Sequence, residues 1–154
     1  MFVRVVSLFA LIVSSFLAAA FGGDWTQFRG PGGLGVSDDK GVPIKWSSTD
    51  NIAWKVELPG PGASSPIVVG NRVFLTCYTG YGLEPAKGDP KELRRHLHCF
   101  DRSSGKELWK KSFEPKLPEH KYEGEGSYHG YAASTPISDG ERLKYEEEFL
   151  RRNR

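Results

Sequence analysis

The sequence predicts an all-β chain of antiparallel strands, and three observations carry that expectation. The 154 residues include 18 Gly, 10 Pro and 4 Trp, a composition that favours many short strands joined by tight turns over long helices. Two apolar runs, residues 63–69 and 72–78, flank Gly70-Asn71, a two-residue link suited to a primed hairpin turn. The stretch 96–111, HLHCFDRSSGKELWKK, reads as strand, turn and strand, because extended alternation stops at RSSG and resumes after it. Asp101, Ser103 and Ser104 are expected to accept from turn amides, and Gly105 to supply the left-handed residue of a bulged hairpin.

Residues 1–20 carry Arg4 in a short basic head, an apolar run and the small-residue ending Ala18-Ala19-Ala20. This reads as a secretory signal peptide cut before Phe21, and an uncleaved membrane anchor is the rival reading. No Cys follows the apolar run, which disfavours a lipoprotein anchor. Lys and Arg number 21 against 19 Asp and Glu, for a formal charge of +2, and they are scattered among the acids. A nucleic-acid partner is therefore not implied, and no membrane span is expected after signal cleavage.

Residues 21–62 form an N-terminal arm. Within 24–36, DWTQFRGPGGLGV, the Gly/Pro cluster invites a phosphate-cradle reading, but a cradle needs a strand before it and a helix N-terminus after it. Here Ser37-Asp38-Asp39-Lys40-Gly41 follows, so a loop lying flat on the domain is expected. Residues 51–58, NIAWKVEL, alternate around Trp54 much as 107–114 alternate around Trp109, and are expected to form a strand.

The second half repeats the first. Ala133-Ser134-Thr135-Pro136-Ile137 matches Ala63-Ser64-Ser65-Pro66-Ile67, and residues 138–143 match 69–73 with a turn in the same place. Residues 63–143 therefore read as one four-stranded unit and the start of the next. Residues 144–154 are a charged, helix-prone tail whose period does not suit a strand. A truncated or frame-shifted repeat gene would produce that change of character.

Asp101, Ser104, Gly105, Lys106 and Trp109 resemble the turn that closes each blade of pyrroloquinoline-quinone (PQQ)-like β-propellers, and DWTQFRGPGGLGVS resembles the mature start of secreted members of planctomycete type. The resemblance implies an antiparallel propeller fragment in which 51–58 is a ring-closing outer strand and 63–143 is one complete blade plus part of another. It implies a periplasmic or extracellular, noncatalytic binding or scaffolding module, partnered by an envelope protein or by remaining blades. Its alternatives are a PQQ- and calcium-dependent dehydrogenase and a sensor or outer-membrane assembly-factor module.

Cys77 and Cys99 lie on strands expected to be neighbours. In an exported chain a disulfide would close a loop of roughly twenty residues, worth about 3 kcal/mol, and two buried free thiols in misaligned register is the other reading. His96 and His98 share one face of their strand and offer two imidazoles to a metal, although a polar strand face is the plainer reading. Glu123, Glu125 and His129, in a Gly/Tyr-rich stretch before the second repeat, are the candidates for ligand contact; loop packing is the plainer reading there too. Trp54 and Trp109 are expected to pack, each indole needing one acceptor. Spacing alone gives no nucleophile with an adjacent base and no paired carboxylates.

Overall fold

The computed structural model describes residues 22–84 and 87–145. The signal-peptide reading and most of the charged tail lie outside them. Four strands, β1 (Ile67–Val69), β2 (Arg72–Thr79), β3 (Arg94–Asp101) and β4 (Glu107–Phe113), form one antiparallel sheet in chain order. A second hairpin pairs β5 (Ile137–Ser138) with β6 (Leu143–Lys144). The chain is thus mainly antiparallel β, in open sheets.

The turns form for the chemical reasons their residues suggest. Asp101 Oδ1 accepts from the amides and hydroxyls of both Ser103 and Ser104, at 2.6–3.1 Å. Its other oxygen accepts from Asn71 Nδ2 at 2.7 Å, tying this turn to the β1–β2 turn. The Ser103 and Ser104 hydroxyls, with their amides, hold the Asp101 carboxyl down at about 2. Gly105 adopts φ 70°, and a Cβ there would sit 2.6 Å from the Trp54 ring. Gly105→Ala is expected to lower stability by about 2 kcal/mol, combining left-handed strain with ring displacement. Urea denaturation measures it, and a change below about 0.5 kcal/mol would refute the packing argument.

Trp54 reaches that turn from a segment expected to be a strand. Residues 51–58 form no strand among the described residues: the backbone bends at Asn51 and Ala53, Asn51 is left-handed at φ 58°, and Glu57 and Leu58 lie beside His98 and Phe100 on a sheet face. Its indole N–H donates to the Arg102 carbonyl at 2.8 Å. Further along, residues 60–64 run beside β2 without regular pairing: Tyr78 N donates to Pro61 O at 2.9 Å, and Thr76 N to Ser64 Oγ at 3.0 Å. The first strand is therefore shorter than expected, since Pro66 has no N–H and Ser64 substitutes a side chain for the ladder.

The arm behaves as expected for an extended, turn-rich loop. Trp25 exchanges two backbone hydrogen bonds with Val68, Thr26 O accepts from Ser138 N, and Gly30 packs on the Trp25 ring. A short 3-10 turn at Pro31–Gly33 follows, not the helix a phosphate cradle would need. Beyond it the arm stays on the surface, with Ile44 89% and Trp46 71% exposed.

Two cores result. Ile67, Phe74, Leu97, Cys99 and Tyr145 pack between the four-stranded sheet and the second hairpin, joined by Trp109, Phe113 and Leu143. Lys144 and Tyr145 thus belong to the second unit, and the tail begins later than its composition suggests. Tyr78, Tyr81, Leu93, Tyr131 and Ala132 pack where the long loops gather at one end of the sheet. The two repeats meet at equivalent positions: Ser65 N donates to Thr135 Oγ1 at 3.0 Å, and Ala63 N and Ser64 N donate to Ala132 O.

Candidate functional site

Register decides which side chains meet. β2 and β3 pair Cys77 with His96 and Phe74 with Cys99, so the two cysteines point to opposite faces of the sheet. Both are buried and free. The disulfide is corrected to two separate thiols, because alternation along each strand left the relative parity of the two strands undetermined. Burial pushes both thiols above the ordinary cysteine range.

On the Cys77 face two hydrogen-bonded chains cross β2, β3 and β4. In the first, His96 contacts Thr79 Oγ1 through Nε2 and Ser112 Oγ through Nδ1, both at 2.9 Å. In the second, His98 Nδ1 donates to Glu107 Oε1 at 2.6 Å, and His98 Nε2 lies 3.3 Å from Cys77 Sγ. A carboxylate only accepts, so in the neutral ring the proton sits on Nδ1 and the Nε2 lone pair faces the thiol, whose S–H donates. Phe100 stacks on the His98 ring with centroids 5.7 Å apart and planes 3° from parallel.

Glu107 joins this face through a break in register between Cys99 and Phe100. Plain alternation would place Glu107 and Trp109 on one face; with the break, Cys99 pairs with Trp109 and Phe100 with Glu107. The indole therefore enters the core while the carboxylate reaches His98. A cavity of about 510 Å³ opens beside the pair, lined by Glu57, Leu58, Pro59, His98, Phe100, Glu107 and Lys110.

The chain thus contains the thiol–imidazole–carboxylate series that residue spacing did not reveal. It is not a nucleophile's arrangement. Cys77 is 0% exposed, does not line the cavity, and has its thiolate disfavoured by burial. The two histidines are engaged separately, His96 with Thr79 and Ser112 and His98 with Cys77 and Glu107, so no ring nitrogen of one faces the other's partners. Among the described residues, no three His, Cys, Asp or Glu side chains converge as a metal-ligating group.

His96 has its pKa lowered by burial, reinforced by the charges of Lys110, His98 and Arg94. A depressed folded-state value gives stability that is present above the unfolded value, near 6.5, and lost as pH falls through the folded one. The melting temperature is expected to fall as pH drops from 7.5 to 5.5. His96→Gln should flatten that slope; an unchanged slope would remove His96 as its source.

The other predicted site residues are not brought together. Glu123 is exposed, with Lys121 Nζ 3.8 Å away, and His129 is also exposed. The side chain of Glu125 lies outside the described residues. The loop is held instead by Arg95 and Glu119, which the sequence does not single out. Their forks meet in two 2.9 Å hydrogen bonds, and Arg95 Nε donates to Tyr131 O at 3.0 Å. The Tyr131 ring stacks on His120 at 4.3 Å, and its hydroxyl donates to the His120 carbonyl. Burial of Glu119 alone would raise its carboxyl, but Arg95 outweighs that and holds it below the usual range.

A larger concavity, about 680 Å³, is lined by Leu108 and Trp109 together with Gly140 and Leu143 of the second hairpin and its turn. Compared with known protein families, curated proteins and solved structures, the chain matches none.

Proposed function

We propose that this chain is an exported, noncatalytic repeat module of the PQQ-like β-propeller kind that binds or scaffolds an envelope partner. The observation that carries the reading is the contact between Ser65 N and Thr135 Oγ1, the same position in two copies of one motif. In stacked repeats each unit packs on its sequence neighbours. The Asp101 turn, tied to Asn71 of the preceding turn, supports it further.

The described residues lend no support to a quinone–calcium pair. Calcium takes six to eight oxygen ligands, whereas the described residues supply no converging acidic group. Near the 510 Å³ cavity the carboxylates Glu57 and Glu107 are accompanied by Lys110.

Expression with the native N-terminus in a Gram-negative host tests export. The periplasmic product is expected to start at Phe21, and retention of Met1 in the membrane fraction would overturn the export reading. Adding the quinone with calcium is expected to leave its absorbance unchanged. A shifted band with bound chromophore would replace the scaffold reading by an enzymatic one.

A further inference from the structure

We propose that Cys77 and His98 form a binding site for a soft monovalent d¹⁰ cation, copper(I) or silver(I), which takes the place of the proton they share. Cys77 Sγ and His98 Nε2 face each other at 3.3 Å, and Glu107 fixes the ring from behind through Nδ1. A carboxylate on the far nitrogen of a ligating histidine orients the ring and raises its basicity. The thiol S–H is then the only proton between sulfur and nitrogen. Its replacement balances as Cys–SH plus M⁺ giving Cys–S–M, with one proton released to solvent and no change in oxidation state.

The surroundings select the ion. Thiolate and imidazole are soft to borderline donors, suited to copper(I) and poorly suited to calcium or magnesium. Only two donors face each other, and a low-coordinate d¹⁰ ion needs no more. A monovalent ion on a thiolate is net neutral, so the burial that disfavours a bare Cys77 thiolate does not oppose the complex. A linear two-coordinate arrangement needs Cys77 Sγ and His98 Nε2 to move apart from their present 3.3 Å. The cavity reaches one edge of this pair, at His98.

Cys99 is the internal control, being equally buried but set among Ile67, Phe74, Leu97 and Tyr145 on the opposite face. Silver(I) is titrated into the full chain under argon, against a competing chelator, with native mass spectrometry counting ions and nitrogen-15 NMR reading the histidine rings. The first equivalent is expected to occupy Cys77 and shift the His98 Nε2 resonance. Cys77→Ser should abolish this high-affinity event, Cys99→Ser should leave it, and His98→Gln should weaken it at least tenfold. Circular dichroism of each variant confirms folding. Equal binding by the Cys77→Ser protein, filling of Cys99 first, or an unmoved His98 resonance would each overturn the assignment. Should Cys77→Ser fail to fold, the order of thiol protection in the parent chain and the ring resonance still decide it.

Discussion

Arg95→Ala is expected to destabilise the chain by about 3–5 kcal/mol, the largest effect of any single side-chain removal at the loop end of the sheet. The Arg95 and Glu119 side chains are only 15% and 8% exposed, so truncating one leaves the other's charge buried. Arg95 also holds the Tyr131 carbonyl and lies over its ring at 5.7 Å, so the tyrosine core loosens with it. Glu119→Ala should cost a similar amount, because its carboxylate also accepts from Lys116 N. The double replacement Arg95→Met with Glu119→Leu should recover much of the loss, since it removes both charges and keeps apolar volume. Urea titration followed by far-ultraviolet circular dichroism checks this. If both single variants lie within 1 kcal/mol of the parent, the pair does not anchor the 114–131 loop. With whole-domain stabilities of about 5–15 kcal/mol, losses of this size leave little margin.

Gly60→Ala is expected to cost about 3 kcal/mol, for a reason of space alone. A Cβ at Gly60 would sit 1.9 Å from the Tyr78 carbonyl oxygen, and one at Gly62 would sit 2.3 Å from that of Thr76. Those atoms are β2 backbone, which cannot rotate aside, so segment 60–64 must lift and give up the bonds that continue the sheet beyond β1. Gly23→Ala is the matched control: nothing lies within 4 Å of its Cβ position, and the change should stay within about 0.5 kcal/mol. A thermal melt of both variants makes the comparison. Equal midpoints would mean that the close approach carries no load.

The two effects belong to different parts of one design problem. A four-stranded sheet with short loops at one end and long loops at the other needs its long loops fastened to the strands. The buried ion pair fastens residues 114–131 to β3, and the glycines let residues 60–64 lie against β2. At the other end Asp101 serves the same purpose by gathering the Ser103 and Ser104 groups and Asn71.

Local chemistry was legible. The strand pairs around Gly70-Asn71 and around the Asp101–Gly105 turn follow from alternation broken by turn-forming residues, and β1 to β4 pair in chain order. The duplicated Ser-Pro-Ile and Thr-Pro-Ile motifs foretold a second hairpin, although each strand is shorter than its apolar run because Pro lacks the donor that a ladder needs. Trp54 was recognisable as a packing residue with one acceptor to find; the acceptor, Arg102 O, was not.

What the amino-acid order determined by itself was the antiparallel hairpins from β1 to β4 and the turns within them, although not the 51–58 segment, which was expected to be a strand and is not. Which faces meet was decided only in three dimensions. Cys77 and Cys99 are separated by the parity of β2 against β3, and Glu107 reaches His98 because one break in register reverses its side of β4. Arg95 finds Glu119 at a sequence separation of 24. The first two turn on a one-residue offset between paired strands, and side-chain direction in a β-sheet reverses with every such step, so a pattern read along the chain cannot supply it; the third depends on where a loop folds back.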